Sequence, residues 1–400
     1  MNVRHGCLLS NSIRCCSAMF RVFVLFFFAA SAANALESWP VGGFAPPPPC
    51  KVCDWTDART LDVQGRAEFP SFGQRDKYFD RLPGDAQGKV RDEVWSLSRM
   101  SAGMYIDFST SSSQLYLNIT YTTETMSMWH FPATGCSGMD LYAWDSRNGT
   151  WRWTSVTKIM QYPTSVNKMT TLPSRDSPTR YRLHLPTYNG VRTLLIGHDE
   201  KHPVVASAPN SASTKKPIVW YGTSILQGAV ASRPGMIFTS WISRNIQREI
   251  FNFGFSGNGL MELNVSQFLT DIDAALFIID CLPNMTPDLV KANTIPIVEY
   301  LRQKHPTTPI LLVSGTWYGD HWFDSSPNDA KTQALQTEYD KLVAAGRAKN
   351  VHLFTNLMDQ LFGGEELINP TVGGTHPSDL GHSYMTKFYS KYLPTLLGGD

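Results

Sequence analysis

Four residues set in four loops could together cleave an acyl bond. Ser224 follows the short apolar run 218–221 in Gly222-Thr223-Ser224. Gly257 lies in Asn252-Phe253-Gly254-Phe255-Ser256-Gly257-Asn258-Gly259, and Asn284 in Asp280-Cys281-Leu282-Pro283-Asn284-Met285. His376 stands near the C-terminus in Gly374-Thr375-His376-Pro377. Acyl transfer needs a nucleophile, a base within hydrogen-bond reach, and donors aimed at the developing oxyanion. On this reading Ser224 attacks the carbonyl, and His376 takes its proton and returns it to the leaving alkoxide. The backbone N–H groups of Ser224 and Gly257 and the side-chain amide of Asn284 would hold the oxyanion. Taken singly, each feature has a plainer reading: a Gly-Ser turn, a histidine at a helix start, glycines in turns. The scheme needs no metal or other cofactor, and the histidines show no ligand spacing.

The elements that must position these residues follow from periodicity. Apolar runs at 218–221, 250–253, 274–280, 309–313 and 351–355 alternate with helix-period segments at 235–249, 259–270, 287–304, 328–346 and 378–393. Five such βα units predict a parallel sheet covered on both faces. The first three loops then share one edge of the sheet, where open α/β sheets place their ligands. Residues 57–205 read differently. Leu115, Leu117, Ile119 and Tyr121 alternate with Tyr116, Asn118 and Thr120, and Arg147-Asn148-Gly149-Thr150 marks a hairpin between the runs 139–145 and 151–157. Runs at 181–185 and 191–198 flank Asn189-Gly190. Short alternating runs without a convincing amphipathic helix predict a β-sandwich.

The chain of 400 residues divides accordingly into a segment 1–35, a spacer 36–56, the sandwich 57–205, a linker 206–216 and the α/β domain 217–400. The first segment reads as a signal peptide: Arg4, Arg14 and Arg21 precede the apolar run 22–30, and Ala33-Asn34-Ala35 fits a cleavage site. The run is shorter than the ~20 residues that span a bilayer. A secreted chain is therefore expected. Cys50, Cys53, Cys136 and Cys281 remain beyond that point, and their pairing is open. Asn118, Asn148, Asn264 and Asn284 open glycosylation sequons, although a glycan on Asn284 would obstruct an oxyanion site. With 35 basic against 34 acidic residues, a nucleic-acid partner has no support. Trp317 and Tyr318, after the fourth α/β strand, are candidates for a substrate-binding wall.

The blocks around Ser224, Gly257, Asn284 and His376 resemble, in order and spacing, those of the SGNH (GDSL-type) hydrolase superfamily, named for its serine, glycine, asparagine and histidine. The resemblance covers the chain from Lys216 onward. Upstream, Gly138-Met139-Asp140-Leu141-Tyr142 resembles the G-x-D-L-Y signature of the β-sandwich preceding carbohydrate-esterase-like members. This resemblance implies a flavodoxin-like three-layer α/β/α domain with a five-stranded parallel sheet after a jelly-roll-like β-sandwich. It also implies a serine esterase acting on small acyl esters, O-acetyl groups on carbohydrates above all. One position departs from the family. Its last block usually reads D-x-x-H, and here Gly373 stands where the orienting aspartate would be. Three outcomes stay open: a backbone carbonyl near Gly373 or Gly374 orients the imidazole, a carboxylate of Asp379, Asp320, Asp324 or Asp359 replaces it, or the chain is a decayed hydrolase that binds glycan or lipid.

Overall fold

The computed structural model describes residues 53–171, 177–207, 214–315, 318–355 and 369–398. The expected signal peptide, most of the spacer, Cys50, Trp317 and Asp359 lie outside them. The first half is a two-sheet sandwich. Its strands are β1 (Cys53–Asp57), β2 (Asp62–Gln64), β3 (Tyr105–Thr110), β4 (Gln114–Tyr121), β5 (Asp140–Asp145), β6 (Thr150–Val156), β7 (Thr164–Thr171), β8 (Thr179–His184), β9 (Val191–Asp199) and β10 (Val205–Ala206). One sheet runs β1-β9-β4-β7 and the other β10-β3-β8-β5-β6, with β2 beside β3. Alternation sends Ile106, Phe108, Leu117, Ile119, Leu141, Leu183 and Ile196 into the shared core. The Arg147-Asn148-Gly149 turn joins β5 to β6 as an antiparallel pair. Asn189-Gly190 makes no hairpin, because β8 and β9 belong to different sheets and the chain crosses between them there.

Two boundaries differ from the sequence reading. β1 begins at Cys53, inside the segment read as spacer, and pairs with β9. Between β2 and β3 the chain leaves the sandwich in a long excursion ending in helix α1 (Asp92–Ser98). Its Phe69, Leu82, Ala86, Val90 and Val94 pack into the core of the second domain. Arg81 fixes it there, donating through Nη1 to the carbonyls of Asn252 and Gly254 at 3.0 and 2.6 Å. The excursion carries no period-two pattern because it covers a foreign surface.

The second half is a parallel sheet of β11 (Ile218–Gly222), β12 (Ile250–Gly254), β13 (Leu276–Asp280), β14 (Ile310–Val313) and β15 (Val351–Phe354). The strand order is β12-β11-β13-β14-β15, the flavodoxin-like order, with its switch point beside β11. Along β11, Val219 and Tyr221 point to a face covered by α5 (Leu263–Leu269), α6 (Pro287–Lys304) and α7 (Ser326–Ala344). Ile218 and Trp220 point to a face covered by α4 (Phe238–Ile246) and α8 (Asp379–Leu396). Two short helices, α2 (Ala133–Cys136) and α3 (Ser224–Gln227), flank the site described below. Cys53 is disulfide-bonded, whereas Cys136 and Cys281 are free and buried. Among the described residues no helix is long and apolar enough to cross a membrane.

Asp280 closes β13 as a buried carboxyl, with Trp220 Nε1–H at 3.4 Å. Burial pushes its pKa up to about 8. The folded state therefore keeps a proton that the unfolded chain releases near pH 4. That contribution to stability is full below about pH 4 and is lost as the pH climbs toward 8. Thermal unfolding of wild type and Asp280→Asn at pH 5 and pH 8.5 checks this. The wild-type Tm should fall more steeply than that of the variant, and parallel slopes would show that Asp280 is ionised in the native protein.

Candidate active site

The nucleophile turn is built where β11 ends. Thr223 caps α3 by accepting the Ile225 N–H on its hydroxyl, so Ser224 takes the first helical position, whose N–H has no intrahelical partner. Ser224 is nearly buried, and its carbonyl accepts the Tyr188 hydroxyl at 3.3 Å. Gln227 ties the same turn to its neighbours. It donates to the Thr187 carbonyl at 3.1 Å and accepts the Ser256 N–H at 3.0 Å. The sandwich, through Thr187 and Tyr188, thus buttresses the serine.

His376 arrives from the far end of the chain. It sits on a small hairpin of β16 (Thr371–Val372) and β17 (His376–Pro377), in which Val372 pairs with His376. Its Nε2 lies 2.9 Å from Ser224 Oγ. The two residues singled out in sequence meet, although they lie 152 positions apart. Burial and the neighbouring His130 hold the His376 imidazole below its ordinary pKa. It is therefore neutral near pH 7 and able to accept the serine proton.

The second and third loops meet at the same edge. Asn284 Oδ1 accepts the Gly259 N–H at 3.3 Å, which fixes the amide and leaves its NH2 group to act as a donor. A side chain at 259 is excluded, since a Cβ there would stand 2.2 Å from the Gly222 carbonyl oxygen. Gly257 is exposed at the tip of the turn, with φ +70°. Tyr318 donates to the Pro283 carbonyl at 2.5 Å, with Lys331 over its ring. It braces the Asn284 loop.

No carboxylate among the described residues hydrogen-bonds to His376. Asp379 accepts the Ser232 N–H at 2.8 Å, Asp324 accepts the Ser326 N–H, and Asp320 is exposed. Gly373 and Gly374 close the hairpin with φ of +66° and +73°, left-handed conformations that an aspartate adopts at a cost. His382 is structural. It is buried, receives the Phe238 N–H on Nδ1 at 3.3 Å and sets Nε2 3.4 Å from the Ala229 carbonyl. Among the described residues no cluster of histidine, cysteine, aspartate or glutamate could hold a metal ion.

One residue of the site went unread in the sequence. His130, on a turn of the sandwich, brings its ring within 5.5 Å of His376, and its buried Nδ1 has no hydrogen-bond partner among the described residues. Trp129 stacks on it and is 88% exposed. Nothing in the local pattern marks this turn, because its neighbour is 246 residues away along the chain. The acid limb of the kcat/KM profile for an acyl ester should therefore reflect a His376 pKa below 6.5. His130→Gln removes a charge that opposes protonation of His376, so the limb should move to higher pH. A limb that stays in place would separate His130 from the base.

Two family models match the chain. Residues 215–395 fit the GDSL-like lipase/acylhydrolase family, and residues 53–204 fit the N-terminal domain of the SGNH-hydrolase-type esterases. No curated protein matches. Among solved structures, a Bacteroides ovatus protein assigned as a GDSL-like lipase is 30% identical, with a TM-score of 0.78 over 86% of this chain and 98% of its own. A salicylyl-acyltransferase from a tetracycline biosynthetic pathway is 16% identical, with a TM-score of 0.68 over 87% of this chain and 98% of its own. A family two carbohydrate esterase from Clostridium thermocellum, solved in complex with cellohexaose, is 11% identical, with a TM-score of 0.51 over 75% of this chain and 94% of its own. The chain belongs to the GDSL-like lipase/acylhydrolase family and is a serine ester hydrolase of SGNH type with a preceding GxDLY sandwich.

Proposed function

We propose that the protein is a secreted esterase that removes small acyl groups, O-acetyl above all, from carbohydrates through a Ser-His dyad. The observation that carries the mechanism is the 2.9 Å contact between Ser224 Oγ and His376 Nε2. As Ser224 Oγ attacks the ester carbon, its proton passes to His376 Nε2 and the carbonyl becomes a tetrahedral oxyanion. The Ser224 and Gly257 N–H groups and the Asn284 amide hold that charge. Collapse expels the sugar alkoxide, which takes the proton from His376 to become a hydroxyl and leaves an acyl-Ser224. Water, deprotonated by His376, then releases the carboxylic acid.

The carbohydrate part rests on the surroundings. Trp129, Trp322 and Phe323 are strongly exposed. Trp129 abuts the His376 hairpin, since a Cβ on Gly373 would lie 3.6 Å from its ring. Trp322 and Phe323 follow Gly319, whose backbone packs on Gly374. Flat apolar faces beside a polar dyad suit the faces of sugar rings. Secretion rests on residues 1–35 and their signal-like pattern.

Hydrolysis of p-nitrophenyl acetate tests the dyad. Ser224→Ala and His376→Ala should each lower kcat by at least ~10³-fold. Asn284→Ala should cost on the order of 10²–10³-fold in kcat with little change in KM. Wild-type rates no higher than those of the serine and histidine variants would sink the mechanism. Acetate release from acetylated xylan and cello-oligosaccharides tests the substrate. Turnover of the aryl ester without either glycan would leave an esterase of another specificity.

A further inference from the structure

Away from the dyad, several aromatic side chains gather between the sandwich and α4. Trp144, Trp151, Trp153 and Trp241 wall a cavity of about 590 Å³ together with Arg233 and Arg244. That volume lies within the range of small-ligand sites, and none of Ser224, Gly257, Asn284 or His376 lines it. We infer that this cavity is a second binding site, for an acidic saccharide: a sugar ring stacked on Trp153 with its carboxylate on Arg233.

The inference rests on how the arginines are held. Among the described residues Arg233 bonds through Nη1 alone, to Asp140 Oδ2 at 2.7 Å and the Tyr142 hydroxyl at 2.6 Å. Its Nε and Nη2 donors are not committed among the described residues, and its guanidinium stands 4.9 Å over the Trp153 ring. Trp153 is 49% exposed, so one face is backed by the cation and the remaining surface is open to solvent. Arg244 is engaged on the other side, by the Gly235 carbonyl at 2.7 Å and His184 Nε2 at 3.0 Å. Two guanidiniums thus line the cavity, and among the described residues the one carboxylate hydrogen-bonded to either is that of Asp140, which leaves an excess of positive charge beside aromatic walls. A neutral glycan would use the walls and leave the arginine donors unpaired. A simple anion would use the arginine and leave the walls bare. A ring carrying a carboxylate uses both, and a bidentate carboxylate fits the two free donors of Arg233. Asp140 and Tyr142, the last part of the G-x-D-L-Y signature, anchor this arginine.

Tryptophan fluorescence of the full chain carrying Ser224→Ala, titrated with digalacturonate and with neutral cellobiose, tests the site. Digalacturonate should give a saturable change that weakens with added salt, and cellobiose should bind at least roughly tenfold more weakly. Trp153→Ala should weaken digalacturonate by about tenfold or more while keeping the parent Tm, and Arg233→Lys should remove most of the preference over cellobiose. No saturable response to digalacturonate would overturn the inference, as would equal affinity for the two sugars. Binding that survives Trp153→Ala and is lost in Trp129→Ala would move the ligand to the mouth of the dyad and overturn it as well.

Discussion

Close backbone packing at the carboxyl edge of the parallel sheet is the constraint on which the site depends. β11 lies between β12 and β13, and the loops after all three must converge on one serine. Gly259 passes the Gly222 carbonyl so tightly that even a methyl group would stand 2.2 Å from the oxygen. That passage puts the Gly259 N–H on Asn284, and Asn284 is then turned with its amide nitrogen outward. A larger residue at 259 would push the second loop away and release the Asn284 amide with it. The proposed oxyanion donors would therefore be products of strand packing as much as of side-chain choice.

The sandwich takes part in this geometry. Thr187 and Tyr188 hold Gln227 and the Ser224 carbonyl, the excursion between β2 and β3 caps β12 through Arg81, and His130 approaches the base. Arg81 is buried and stays charged, its pKa lowered only to about 9 by burial. A guanidinium in such a place is tolerable because carbonyl oxygens receive three of its nitrogens. Cutting the sandwich from the hydrolase would leave those carbonyls and the Arg81 contacts unmatched.

The order of strands and helices in the α/β half was legible, with bounds within a few residues, because buried parallel strands and amphipathic helices write distinct periods. The predicted runs at 218–221 and 250–253 are β11 and β12, and the helix 287–304 is α6. Ser224 and His376 were singled out by their blocks, and the structure sets them 2.9 Å apart. Less survived in the sandwich. The excursion before β3 looks like loop in sequence, since its apolar residues answer to a surface far along the chain. β1 hides in the spacer because a short edge strand of Cys53-Asp54-Trp55-Thr56-Asp57 has little alternation to show. His130 had no local signal at all.

In the proposed dyad His376 acts with no carboxylate bonded to it among the described residues, and the hairpin offers a way to place it. An orienting acid fixes a flexible imidazole and steadies its charge, and removing one from a serine protease costs on the order of 10⁴ in turnover. Here His376 is part of a β-ladder, paired with Val372 and followed by the rigid Pro377, so its backbone is already placed. Side-chain torsion is limited further by partial burial and by His130 across the pocket. Charge is the remaining deficit, and His130 adds to it. An ester asks less of the base than an amide does, because an alkoxide can depart with partial protonation where an amine anion cannot. A dyad whose histidine is held by backbone therefore suits ester cleavage and would serve peptide cleavage badly, which sets the chemistry of the site apart from that of the proteases sharing its nucleophile and base.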